Sequence, residues 1–252
     1  SDPDNPFVSE KLKDGQLGFV TNHPMFLNHE PGAWVTVARD FQRMANLDNE
    51  MEIHQNTIYV VDPERDNPEV SELCEAPLAC VDLETFRKVK DPRVAEIFCI
   101  GATHRTGWGT SLDPHDDRVH TILRRDTIIG QNFVLFDWPI LHYAGYTIPD
   151  ETRVVDTRFL GKLLNPDTPN DIYYLASEFA EPPLRGYWKT RQDYRDRKQW
   201  VACMDVDATL RILDGELRAL DQRGQRNIAD QYVIPISRIA FDIRRQGLRV
   251  NR

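Results

Sequence analysis

Asp82 and Glu84 are separated by one residue. In a strand, side chains at i and i+2 leave the same face, so the two carboxylates would project together as hard oxygen donors for a divalent cation. Spacing alone says little. With 40 acids in 252 residues, acid-x-acid pairs arise about six times by chance. Position says more, because the pair punctuates the end of the apolar run Leu78-Ala79-Cys80-Val81, where charges normally sit outside. Two further acids stand in apolar settings. Asp137 follows Phe133-Val134-Leu135-Phe136, and Asp205 falls four residues after Val201 and three before Ala208 on a helical stripe. Taken singly, each reads more readily as an ionised group at a core edge with one satisfied partner. Taken together, Asp82, Glu84, Asp137 and Asp205 look different, since four acids in apolar settings are more than core edges ordinarily hold.

The elements that would position these acids follow from periodicity. Residues 78–84, 94–103 and 107–112 are three neighbouring strand candidates, which predicts an antiparallel meander. Helical spacing over 114–125 leads to a strand over 127–132, a helix over 133–144 and a short strand at 153–155, with Asp156 placed to cap the next helix. Strands alternating with helices imply parallel pairing, so the expected class is α/β with a mixed sheet. A long helix is predicted over 196–222, striped by Val201, Met204, Ala208, Ile212 and Leu217, and a second amphipathic helix over 233–246 with Gly247 as its cap. Nearer the N-terminus, 17–20 reads as a strand and 31–47 as a helix. The segment 62–68, with two prolines and four charges, reads as a linker at a domain boundary.

Composition bounds the function classes. The formal net charge of −9 argues against a protein that holds nucleic acid by bulk positive charge, so any such binding must be local. No apolar run approaches the roughly 20 residues a membrane span needs. Cys74, Cys80, Cys99 and Cys203 have no regular spacing, which points to neither a disulfide framework nor a zinc site and fits a reducing cytosol. No secretory leader pattern is seen near Ser1, and the chain is expected to be a piece of something longer.

Four motifs carry a resemblance when read in order. They are Val81-Asp82-Leu83-Glu84-Thr85-Phe86, Gly130-Gln131-Asn132 leading to Phe136-Asp137, Asp156-Thr157, and Asp205-Val206-Asp207-Ala208-Thr209-Leu210. Together they resemble the motifs of 3′-to-5′ exonucleases with four acidic residues, above all the proofreading exonuclease domain of family A DNA polymerases, including those of phages. The likeness covers about residues 72–221. It implies a ribonuclease H-like fold and phosphodiester hydrolysis assisted by two Mg²⁺ or Mn²⁺ ions. By the same resemblance Asp82 and Asp205 hold the tighter ion with help from Glu84, Asp82 and Asp137 share the second, and Asn132 and Phe136 contact the single-stranded DNA 3′ end. The implied compartment is the cytoplasm of a bacterial or phage-infected cell.

The pattern is broken at one place. In this class a Tyr four residues before the last Asp, or a His five before it, orients the attacking water, and those positions here are Val201 and Trp200. Glu84 alone, Tyr194 or Tyr187 are the remaining candidates for that role. The alternative is a catalytically weakened exonuclease-like module that binds single-stranded DNA or spaces other domains. Arg185, Lys189, Arg191, Arg195, Arg197 and Lys198 interleave with Tyr187, Trp188, Tyr194 and Trp200, the mixture a single-strand groove uses, though a solvated charged loop reads equally well.

The flanks complete the expected organisation. Residues 232–250 resemble the start of a family A polymerase domain, without any of its catalytic motifs. Phe19-Val20-Thr21-Asn22-His23-Pro24 and the helix after it resemble the end of a family 4 uracil-DNA glycosylase and read as a non-catalytic appendage. The expectation is therefore an appendage and linker over 1–70, an exonuclease-like domain over 71–222 and a truncated polymerase entry over 223–252, with a polymerase domain as partner in the full-length chain.

Overall fold

The computed structural model describes residues 37, 38, 41, 57–87, 90–180 and 197–247. Among these, six strands form one mixed sheet: β1 Ile58–Val61, β2 Leu78–Thr85, β3 Ile97–Thr103, β4 Trp108–Leu112, β5 Thr127–Gly130 and β6 Arg153–Asp156, in the spatial order β1-β4-β3-β2-β5-β6. β2, β3 and β4 are the antiparallel meander, while β5 pairs parallel to β2 and β6 parallel to β5. The helices are α1 Pro68–Glu75, α2 Arg118–Ile122, α3 Asp137–Tyr143, α4 Thr157–Leu164, α5 Ile172–Phe179, α6 Lys198–Gln222, α7 Arg226–Ile228 and α8 Ile234–Gln246, with a π-turn at Ala229–Val233 between the last two. The mixed α/β architecture expected from periodicity is the one observed.

Strand alternation divides the core in two. Ala79, Val81 and Leu83 of β2, Ile128 of β5 and Val154 of β6 enter one apolar cluster with Trp138 and Phe241. Cys80, Ile129 and Val155 point the other way, into a cluster with α4, α5 and α6. Asp82 and Glu84 share the face of Cys80, because side chains two residues apart lie on one side. The acids thus open toward α6, and the apolar residues between them seal the opposite core.

α6 lies directly on the sheet. A Cβ added at Gly101 of β3 would stand 2.6 Å from the Ala202 carbonyl oxygen, and one at Gly109 of β4 would stand 2.7 Å from that of Cys203. The absence of side chains at these two positions lets the helix backbone settle onto the strands. Asp207, 4% exposed, then ties the contact. Its carboxylate accepts from the Gly107 N–H at 2.7 Å, the Tyr59 hydroxyl at 3.2 Å and Arg211 Nε at 3.1 Å.

Several boundaries differ from the expected ones. The strand expected at 94–103 begins at Ile97, because Asp91 accepts from the Arg93 N–H and Pro92–Val94 forms a 3₁₀ turn. The helix expected over 133–144 begins at Asp137, and that expected over 114–125 is confined to Arg118–Ile122. The sheet also takes in Ile58–Val61, ahead of the segment read as a linker, as a strand parallel to β4. That segment is packed down, with Arg118 donating to the carbonyls of Pro63 and Glu64. At the other end, α8, in the stretch read as a polymerase entry, packs against β6 and α3. Phe241 stacks on Trp138 with ring centroids 4.1 Å apart, and Arg238 lies 4.6 Å above the same indole. Gly247 ends α8 at φ 67° with its N–H donating to the Ile243 carbonyl. Of the expected helix over 31–47, Val37, Ala38 and Phe41 are helical and the rest lies outside the described residues, as does the strand expected at 17–20.

Two buried carboxyls make stability depend on pH. Glu216 is fully buried, and neither of its side-chain oxygens finds a hydrogen-bond partner among the described residues. Burial, with the nearby Asp156 adding to it, pushes its pKa well above the usual carboxylate range. Asp156 is pushed up to about 6 by burial, against the N–H bonds it accepts. A carboxyl whose pKa is raised by folding contributes fully below its unfolded value, and that contribution is lost as pH rises through its folded value. Urea unfolding should therefore show stability falling from pH 5 to 8, and Glu216→Gln should flatten the fall. An unchanged slope would mean Glu216 is not held protonated. Gly101→Ala should cost about 1–3 kcal/mol in the same measurement, as overpacking does, and an unchanged midpoint would contradict the close helix contact.

Candidate metal centre

The helix contact brings Asp205 to the strand acids. Gly101, whose missing side chain admits Ala202, is the residue directly opposite Asp82 in the β2–β3 register. One helical turn beyond Ala202, Asp205 points back over β2. Asp207, two residues on and hence turned to another side of the helix, goes to the Tyr59 and Gly107 clasp instead. Asp82, Glu84 and Asp205 each offer a carboxylate oxygen, and these oxygens all lie within 4.8 Å of one another. Asp205 is 4% exposed and Glu84 9%. Carboxylates this close repel one another, and a divalent cation among them offsets that repulsion with the hard oxygen ligands it prefers.

Asp137 borders the same cleft but stands outside the trio. Its Oδ1 accepts from the Leu83 N–H at 3.0 Å, so it is anchored to the backbone between Asp82 and Glu84. Burial, followed by the charges of Asp156 and Glu84, holds its pKa well above the usual carboxylate range, against the Leu83 hydrogen bond. The turn that delivers it is organised by Asp156, whose carboxylate accepts from the N–H groups of Asn132 at 2.9 Å, Val134 at 3.0 Å and Arg158 at 3.0 Å. This holds Asn132 at φ 59°, a left-handed conformation that asparagine tolerates better than most residues. Asp156 is thus both the helix cap read from the sequence and a clamp on the segment before Asp137.

The four acids, Asn132, Phe136, Gln131, Ile172 and Lys198 line a cleft of about 480 Å³. Asn132 and Phe136, expected to contact DNA, are therefore beside the acids. Arg185, Tyr187, Trp188, Lys189, Arg191, Tyr194 and Arg195 lie outside the described residues, as does His23. At the two positions where a water-orienting Tyr or His was expected, Val201 is fully buried. Trp200 packs edge-on against Tyr59, ring centroids 5.9 Å apart, under the Arg197 guanidinium at 4.0 Å. Lys198 is the residue that sequence reasoning passed over, as one cation among six. Its signal was its place seven residues before Asp205, two helical turns along the same face.

No protein-family model and no curated protein sequence matches this chain. Solved structures do. NrnC of Brucella melitensis is 16% identical with a TM-score of 0.61, over 77% of this chain and 95% of that one. The same protein has been solved bound to pGG and with bound Mg²⁺. Escherichia coli RNase D, an exoribonuclease involved in structured RNA processing, is 15% identical with a TM-score of 0.55, over 77% of this chain and 52% of that one. Pol1 of M. smegmatis, in complex with DNA primer-template and dNTP, is 15% identical with a TM-score of 0.57, over 76% of this chain and 32% of that one. The polymerase likeness thus holds at the level of the fold. The mixed sheet flanked by helices is a ribonuclease H-like fold, shared with these structures.

Proposed function

We propose that this chain is a metal-dependent 3′-to-5′ exonuclease that removes nucleotides from single-stranded DNA ends, and that it works beside a polymerase domain in a longer polypeptide. The observation that carries the reading is the convergence of Asp82, Glu84 and Asp205 within 4.8 Å at the floor of a cleft. Two Mg²⁺ or Mn²⁺ ions, held by these three residues and Asp137, would supply the charge that stabilises the attacking and leaving oxygens during in-line phosphodiester hydrolysis. The protein's own part is placement. Asp82 comes from strand β2 and Asp205 from helix α6, so the α6 contact sets the distance between the two. Glu84, a member of the same group, orients the attacking water in place of the missing Tyr or His. Phe136 offers a ring face to the terminal base, and Asn132 a polar group to its sugar or phosphate.

The second reading, a weakened relative that grips single strands without cutting them, is favoured by the burial of Val201, which takes no part in proton transfer. End-labelled DNA and RNA oligonucleotides incubated with Mg²⁺ or Mn²⁺ separate the readings. We expect a ladder of shortened DNA, and Asp82→Ala should slow it by about 100-fold or more, the scale of losing one preorganised transition-state contact. Shortening of RNA but not DNA would keep the nuclease and reject the proofreading substrate. A chain that binds oligonucleotides and shortens neither would leave only the binding module.

A further inference from the structure

The cleft poses an electrostatic problem for the substrate proposed above. Four carboxylates line it, and a nucleic-acid end carries a negative charge at every linkage. Among the described residues lining the cleft, Lys198 is the one cation. It is the first residue of the 25-residue helix α6, whose N-terminal end adds a partial positive charge of its own.

The ammonium is held at the rim rather than consumed. Its Nζ donates to the Thr85 carbonyl at 2.5 Å and lies 3.4 Å from that of Phe86, the two residues that follow Glu84, and it sits 5.4 Å from the Phe98 ring centroid. Among the described residues it makes no ion pair with the acids. An ammonium has three donors and no acceptor, so two carbonyls leave at least one N–H for the cleft. A lysine whose purpose was to neutralise the acids would pair with them. One tethered by neutral carbonyls beside them keeps its full charge for an incoming anion.

We propose that Lys198 is a substrate-binding residue of this cleft, donating to a non-bridging oxygen of the 3′-terminal phosphodiester and so holding it against the acids. The inference rests on the nuclease reading of the site. Lys198 moves no proton and forms no covalent bond; it supplies one fixed positive charge and one directed donor.

The test uses Lys198→Gln, which removes the charge but keeps an N–H for the Thr85 carbonyl. We expect KM for a single-stranded oligonucleotide to rise about 10-fold, the scale of one charge-assisted hydrogen bond. The slope of log binding constant against log salt should shrink by about 0.7, the value for one phosphate contact on a single strand. Lys198→Arg should stay within about threefold of the parent, and Mn²⁺, by binding the folded acid cluster, should raise the melting temperature of the parent and of both variants alike. An oligonucleotide with a neutral methylphosphonate at its 3′-terminal linkage should bind the parent and Lys198→Gln equally. If Lys198→Gln does not fold, Lys198→Met, which keeps an unbranched side chain of similar length without the charge, carries the same comparisons. Parent-like KM and salt slope in an active protein would overturn the role of Lys198 alone. A parent chain that neither shortens nor binds any oligonucleotide would overturn both this inference and the reading beneath it.

Discussion

The contact of α6 with the bare backbone of β3 and β4 is the constraint on which the site depends. A helix on a sheet ordinarily rides on the side chains between them. Here Gly101 and Gly109 provide none, and the carbonyls of Ala202 and Cys203 come down where Cβ atoms would be. Strand and helix are thereby held closely enough for Asp205 to reach Asp82 and Glu84. Raising the helix by the thickness of one methyl group would separate the two halves of the acid cluster. The buried Asp207, gathering Tyr59 from β1, Gly107 from the β3–β4 turn and Arg211 from the helix itself, braces that arrangement from the other side.

The acids are kept in a setting that works against folding. Asp137, Asp156 and Glu216 are all buried with raised pKa values, and three more carboxylate oxygens are crowded at the cleft floor. A fold selected for stability alone would replace most of them with apolar groups of similar volume. Asp156 offsets its cost by accepting three backbone N–H bonds and fixing the turn that delivers Asp137. Asp137 accepts the Leu83 N–H and so locks α3 to the middle of β2. Glu216 has no such compensation among the described residues.

Much of this was legible in residue order. The alternation through Ala79 to Glu84 placed the apolar residues on one face and the acids on the other, and the strand pairs around it followed from neighbouring apolar runs. Asp156 as a helix cap needed only its position before Thr157. Other features depend on partners far away in sequence. Ile58–Val61 looks like the end of an appendage because prolines and charges follow it, yet it pairs with β4 about fifty residues later. A glycine inside a strand reads as weakness, and nothing local to Gly101 or Gly109 announces the helix that lies on them. Lys198 was one of a crowd of cations until the helix put it two turns from Asp205. The missing Tyr or His was visible at once. The apolar stripe already put Val201 on the buried face of that helix, and its full burial turns attention to Glu84 and Lys198 as the groups left to meet the substrate.

The claim that Asp82, Glu84 and Asp205 are a divalent-ion site is tested most directly by anomalous diffraction from crystals grown with Mn²⁺. The account predicts a manganese peak bounded by carboxylate oxygens of those three residues, lost when Asp205 is replaced by Asn. Strong manganese peaks elsewhere with none between these carboxylates, or a peak there that survives Asp205→Asn unchanged, would contradict it.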